Sequence, residues 1–198
     1  MGSIFQSLQR TVIAGFVLLI IIVVLVVGIS GVAPAFASHA WGLFFVRWLH
    51  VLAGVMWIGL LWYFNFVQMP SMPKIPDEQK PAISKVIAPA ALLYFRHAAL
   101  WTVITGATLA TMNGYIGQAL MLQRPFTAIG IGMWLALVMA FNVWFIIWPN
   151  QKKALGIVVV EAAEKAAAAR KAMLASRFNT MFSVPMLFCM VAQQNGGL

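Results

Sequence analysis

A histidine and an arginine lie one helical turn apart in an otherwise apolar segment, RWLHVLAGVMWIG, at residues 47–59. At about 100° per residue, they share one side of a helix with five further residues. We call this set the polar stripe: Arg47, His50, Gly54, Trp57, Leu61, Asn65 and Gln68. Since exposing the stripe to hydrocarbon would be costly, we expect it to face the interior of a helical bundle.

The residues of the polar stripe are suited to binding haem b. His50 would supply an axial nitrogen to the iron, and Gly54, one turn later, would leave room for the porphyrin edge. Arg47 would pair with a propionate, and Trp57 would line the same face. A second axial ligand is available from His97, within YFRHAALWTVITG on the next apolar segment. The sequence therefore predicts a haem iron held by His50 and His97.

A structural interpretation of these residues stays open. An intramembrane histidine can also hydrogen-bond between helices or accompany a water molecule. Arg47 and Arg96 have no acidic residue inside any predicted span to neutralise them. This absence favours an anionic ligand, such as a propionate, or a partner membrane subunit that carries carboxylates.

The composition of the 198-residue chain indicates a membrane protein. Hydrophobic residues make up 63% of it and charged residues 9%, and its mean hydropathy of +0.92 is outside the range of soluble domains. The net charge of +9 is interpreted as loop charge that fixes orientation, so we expect the lipid bilayer, and no nucleic acid, as partner. One cysteine excludes an internal disulfide and a C-x-x-C-H haem attachment.

Hydropathy predicts an all-α membrane protein, a bundle of about five transmembrane helices that form one domain over residues 1–198. Windows of about 19 residues place the spans at 11–30, 40–66, 87–112, 126–148 and 178–194. An alanine-rich segment predicts a cytoplasmic helix at about 152–176, either as an extension of the fourth span or as a helix lying on the headgroups. The first span has an A-x-A-like sequence after it but is long for a signal peptide, so we expect a retained anchor helix.

Basic residues predict the orientation of these spans. They are concentrated in the amino-terminal tail and in the segments 67–86 and 149–177, whereas the alternate loops hold only Arg124. This asymmetry predicts a multi-pass protein of the inner (cytoplasmic) membrane with a cytoplasmic amino terminus. The linker 68–81 contains four prolines and is predicted to be extended. Asn142 and Asn179 are interpreted as polar anchors at the inner interface.

Three stretches together resemble a known family: RWLHVLAGVMWIGLLWYFNFVQ, FNVWFIIWPNQKK and ASRFNTMFSVPMLF. They are similar to the bacterial membrane proteins with a urate oxidase amino-terminal domain, the membrane urate hydroxylases, over roughly residues 40–190. The resemblance implies a multi-span membrane part that is followed, in full-length members, by a c-type cytochrome domain. This chain resembles a short form without that domain. Within the matching motif, the resemblance implies a functional role for His50, with Arg47, Gly54 and Trp57 beside it.

The residues and the resemblance together lead to a functional hypothesis. We expect an integral membrane redox or accessory subunit that binds haem b between the second and third spans. It would work with partner subunits in a larger electron-transfer or oxidase complex. Two alternatives stay open: a membrane-bound oxidoreductase of the urate hydroxylase type, and a purely structural membrane subunit. The lack of an acidic residue inside the spans weighs against proton-relay chemistry.

Overall fold

The computed structural model describes residues 2–197, and these residues form helices joined by short loops. Within this part of the chain, five helices are long and apolar enough to cross a membrane. They are α1 (Leu8–Ser30), α2 (His39–Lys74), α3 (Lys80–Met112), α4 (Thr127–Ala154) and α5 (Ala162–Asn195). Shorter helices occur at Gly2–Phe5 and Ile116–Leu120. The prediction of an all-α chain with about five helices of transmembrane length is confirmed.

The chain divides into two compact units, Met1–Gly42 and Leu43–Leu198. The first unit contains α1, none of whose residues is buried. A helix that is apolar on every side is typical of a lipid-facing span. This helix ends at Gly31, where a φ of 68° lets the backbone N–H donate to the carbonyl oxygen of Val27. Glycine adopts this left-handed conformation without the steric cost that a side chain brings.

The ends of the helices differ from the predicted spans. Helix α2 continues to Lys74 and α3 begins at Lys80, so most of the predicted extended linker is helical. Pro81 lies in the first turn of α3, where the N–H that proline lacks would have no partner. Pro70 lies within α2, just after a π-helical turn. The helix predicted at 152–176 has other bounds: residues 152–154 belong to α4, and α5 runs without a break from Ala162 to Asn195 and contains Pro185.

Three of the long helices contain a π-helical turn, at Tyr63–Gln68, Ile83–Ile87 and Asn142–Ile147. Each π turn ends two residues before a proline: Pro70, Pro89 and Pro149. A proline ring displaces the carbonyl group four residues earlier and donates no hydrogen bond, and the helix accommodates both effects by widening. The pattern therefore assigns a physical cause to all three π turns.

The core of the second unit is formed by apolar side chains of α2 to α5. Its largest fully buried members include Trp57 and Leu61 of α2, Phe95 of α3 and Met139 of α4. Small residues allow the helices to approach closely, as is common in membrane bundles. A Cβ atom on Gly132 of α4 would lie 3.1 Å from the Cβ of Cys189 on α5. This close approach packs α4 directly against α5.

Candidate cofactor site

The polar stripe faces the interior over most of its length. Trp57 and Leu61 are both 0% exposed, and His50, Gly54, Asn65 and Gln68 are half-buried. Arg47, at the amino-terminal end of the stripe, is exposed. The predicted inward orientation is thus confirmed from His50 to Gln68.

The imidazole of His50 is held by helix α3. Its Nδ1 atom lies 3.0 Å from the carbonyl oxygen of Thr102 and 3.1 Å from the hydroxyl oxygen of Thr105. The Thr105 hydroxyl donates its own hydrogen to the carbonyl oxygen of Trp101, at 2.6 Å. Both oxygen atoms near Nδ1 therefore accept a hydrogen bond.

These contacts fix the tautomer of His50. Since Nδ1 faces two acceptors, it carries the proton and donates, and Nε2 keeps its lone pair in the neutral ring. Metal-binding histidines commonly have this arrangement, in which one ring N–H donates to a backbone carbonyl while the other nitrogen binds the metal. His50 can therefore act as an axial ligand or as a proton acceptor through Nε2.

A glycine on α3 makes room for the His50 ring. A Cβ atom on Gly106 would lie 3.0 Å from Cε1 of His50 and 3.4 Å from its Nδ1. Gly106 was not predicted from the sequence, in which Gly54 is the residue expected to make room. A Cβ on Gly54 would have no neighbouring heavy atom within 4 Å. Gly54 thus borders open space that a ligand could use, whereas Gly106 accommodates the histidine itself.

His97 lies in different surroundings on the same helix, α3. Its Nδ1 is 2.8 Å from the carbonyl oxygen of Leu93, and its ring contacts that of Trp144 edge-on, with centroids 5.8 Å apart. Gly106, which contacts His50, is nine residues further along, or about 13.5 Å along the helix axis. The structure therefore does not bring the two imidazoles to one level, and a shared iron stays a prediction.

The two arginines inside the predicted second and third spans have different environments. The guanidinium carbon of Arg96 lies 3.9 Å from the ring centroid of Trp148, a cation–π contact that partly compensates its charge. Burial raises the pKa of the Tyr115 phenol, and the positive charge of nearby Arg47 lowers it. Arg47 is thus the arginine of the pair that remains available for an anionic group.

The carboxy-terminal half of the stripe is tied to helix α5. The Asn65 amide donates to the hydroxyl of Ser176 at 2.8 Å. Beside the stripe, the Trp62 indole donates to the hydroxyl of Ser183 at 2.9 Å. The indole nitrogen of Trp57 is buried without a hydrogen-bond partner in the described chain. Such a donor costs free energy unless a ligand or water accepts from it.

A second polar pair connects α4 to α5. The Asn142 amide donates to the side-chain oxygen of Asn179 at 2.9 Å, and the Asn179 amide donates to the carbonyl oxygen of Met139 at 2.9 Å. Asn142 is 7% exposed and Asn179 is 0% exposed, so the interpretation of both as interfacial anchors is wrong. A hydropathy window does not reveal which polar side chains bind each other.

A comparison with known protein families matches the segment that contains Asn142 and Asn179. Residues 126–196 match the urate oxidase N-terminal family. The resemblance stated from the sequence is confirmed over this segment, which contains all of α4 and α5. The match does not extend to His50 or the rest of the polar stripe. No curated protein and no solved structure matches the chain.

Proposed function

We propose that the chain is an integral redox or accessory subunit of the inner (cytoplasmic) membrane, in which His50 binds the iron of haem b. The observation that supports this proposal is the hydrogen bond from Nδ1 of His50 to the carbonyl oxygen of Thr102. It leaves Nε2 with its lone pair, as an axial ligand requires. The family match and the five apolar helices are consistent with a membrane protein related to urate hydroxylases.

The residues around His50 fit one side of a haem. Thr102 and Thr105 orient the imidazole, the open space beside Gly54 admits a porphyrin edge, and Arg47 can bind a propionate. When bound, haem b supplies one-electron exchange. His97 lies at another level, so we propose that the second axial position is open or is filled by a residue of a partner subunit.

A partner subunit is also suggested by charge. Arg47 is exposed near one end of α2, and a guanidinium at the edge of a bilayer favours a carboxylate neighbour. We propose that a partner carrying acidic residues packs near Arg47, within a larger electron-transfer or oxidase complex. Co-purification in gentle detergent tests this part, and a chain that always migrates alone would count against it.

The haem proposal is tested with the three histidines of the chain. The purified protein should show a Soret band and give a positive pyridine haemochrome assay. The band should be lost in His50→Ala and retained in His39→Ala, whose histidine is exposed at the start of α2. His97→Ala should retain haem if the second ligand comes from elsewhere. Wild-type protein without haem would refute the proposal, and haem loss only in His97→Ala would refute the assignment of His50.

The second candidate function is a membrane-bound oxidoreductase of the urate hydroxylase type. It is favoured by the family match over residues 126–196. Membranes that contain this chain alone should then consume urate in the presence of an electron acceptor. Urate consumption that requires added subunits would support the accessory role instead, and a haem-free chain that only stabilises its partners would indicate a purely structural subunit.

A further inference from the structure

A cavity lies among four helices at the end of the bundle where α2 ends and α3 begins. Its volume is about 210 Å³. Its walls include Phe64 and Gln68 of α2, Leu92 of α3, Gln151 of α4 and Ser176 of α5. The remaining lining residues are alanines, methionines and a leucine, so no charged side chain borders the cavity.

Two carboxamides that border the cavity have a side-chain oxygen without a hydrogen-bond partner. The side-chain oxygens of Gln68 and Gln151 are buried and accept no hydrogen bond in the described chain. The side-chain oxygen of Asn65, whose amide nitrogen donates to Ser176, is also buried and accepts no hydrogen bond in the described residues. Since buried acceptors are nearly always satisfied in folded proteins, these oxygen atoms indicate a missing donor.

Both glutamines lie close to a proline. Gln68 is the last residue of the π turn that precedes Pro70, and Gln151 lies two residues after Pro149. A π turn widens the helix and redirects the side chains that follow it, and such turns are frequent at functional sites. The proline pattern thus places both carboxamides at distorted segments of two different helices.

The size and chemistry of the cavity restrict what it can bind. A volume of 210 Å³ is below the range of about 300–1,000 Å³ for drug-sized ligands, so it suits a single ring. The absence of charged lining residues favours a neutral molecule. Phe64, Met69 and Met173 provide aromatic and thioether surfaces that pack well against a ring.

We propose that this cavity binds a hydroquinone, a neutral ring whose two O–H groups donate to the side-chain oxygens of Gln68 and Gln151. The ring packs between Phe64 of α2 and the alanine-rich wall of α5. The binding involves no change of covalent bonds and does not depend on haem. The ligand can come from the lipid phase, with an apolar tail, or from water, without one.

The test measures binding of radiolabelled trimethylhydroquinone to the purified protein in lipid nanodiscs, by anaerobic equilibrium dialysis against empty nanodiscs. We expect saturable binding to the wild type. The dimethyl ether of the same ring has no donor and should not compete. A long-chain hydroquinone that competes better than the tail-less ring identifies the lipid phase as the source, and the opposite order identifies water.

The variants Gln68→Leu and Gln151→Leu remove one acceptor each and should weaken binding by about tenfold each. Gln118→Leu, at an exposed position of the short helix Ile116–Leu120, is the matched control and should bind as the wild type does. Ala172→Leu places a larger side chain in the cavity and leaves both glutamines intact, and it should abolish binding.

Three outcomes would overturn the proposal. These are no binding above empty nanodiscs, equal competition by the dimethyl ether, and wild-type affinity in the double variant of Gln68 and Gln151. The first would mean that only water fills the cavity, with room for roughly seven molecules at about 30 Å³ each. Circular dichroism of each variant establishes that its helices are retained.

Discussion

Replacing Gly106 with alanine tests the position of the His50 imidazole. The added Cβ would lie 3.0 Å from Cε1 of His50, which is closer than ordinary van der Waals contact. Moving the ring away by about 0.4 Å would lengthen the Nδ1–Thr102 hydrogen bond from 3.0 Å to about 3.4 Å, beyond the usual range. The variant therefore should weaken the contact that sets the tautomer of His50.

Two opposing contributions determine the stability of Gly106→Ala. Alanine in a helix interior is favoured over glycine by about 0.5–1 kcal/mol. Loss of the hydrogen bond costs about 0.5–1.5 kcal/mol. The net free energy of unfolding should consequently change by less than about 1 kcal/mol, whereas haem content should fall because the axial ligand is displaced.

Gly59→Ala is the matched control on α2, outside the polar stripe, because a Cβ there meets no heavy atom within 4 Å. It should gain the full helix propensity of about 0.5–1 kcal/mol. Both variants can be compared by thermal unfolding, followed through the reaction of a fluorescent maleimide with the buried thiol of Cys189. If Gly106→Ala is stabilised as much as Gly59→Ala and keeps its haem, the argument that Gly106 positions the His50 ring is refuted.

Three further predictions concern residues outside the His50 contacts. Asn142→Ala and Asn179→Ala should each lower the free energy of unfolding by about 1–3 kcal/mol, and the double variant should cost less than their sum in a thermal-unfolding cycle. Gly130→Ala should destabilise by about 3 kcal/mol, because its Cβ would overlap a backbone oxygen of a neighbouring helix; an unchanged melting temperature would contradict this. Burial raises the pKa of Tyr115, and the charge of Arg47 lowers it. Arg47→Gln should therefore raise the pKa of Tyr115 further. Ultraviolet titration of a protein whose other two tyrosines are replaced by phenylalanine measures this change. The contribution of the neutral Tyr115 phenol to the free energy of unfolding is fully present below the ordinary tyrosine pKa. It is lost as the pH rises through the raised pKa of Tyr115.

The number and order of the helices could be predicted from the sequence because hydropathy is a local property. Each span has enough apolar residues to be recognised without knowledge of its neighbours. The ends could not be predicted as well, because proline has two opposite effects. It stops many helices, yet here Pro70 and Pro149 lie within helices that widen into π turns. Which effect occurs depends on neighbouring helices that satisfy the freed carbonyl groups.

The inward face of α2 could likewise be predicted, since the angular position of each residue follows from helical periodicity. Burial of Trp57 and Leu61 agrees with that prediction. The partners of His50 depend on how far α3 is shifted along α2, and periodicity carries no information about this shift. One signal was present: Thr102, Thr105 and Gly106 are spaced i, i+3, i+4, which places small residues on one face, as helix contacts in membranes require.

The two proposed sites lie near opposite ends of the same helix. His50 and Gln68 are eighteen residues apart on α2, or about 27 Å at 1.5 Å per residue. Substitutions this far apart without shared partners usually act independently. His50→Ala should therefore leave hydroquinone binding unchanged, and Gln68→Leu should leave haem content unchanged. If Gln68→Leu lowered haem content in a protein that keeps its helices, the two sites would have to be coupled through α2 itself. The Tyr63–Gln68 π turn is the segment that could carry this coupling. A change of its helical register would rotate one end of α2 relative to the other.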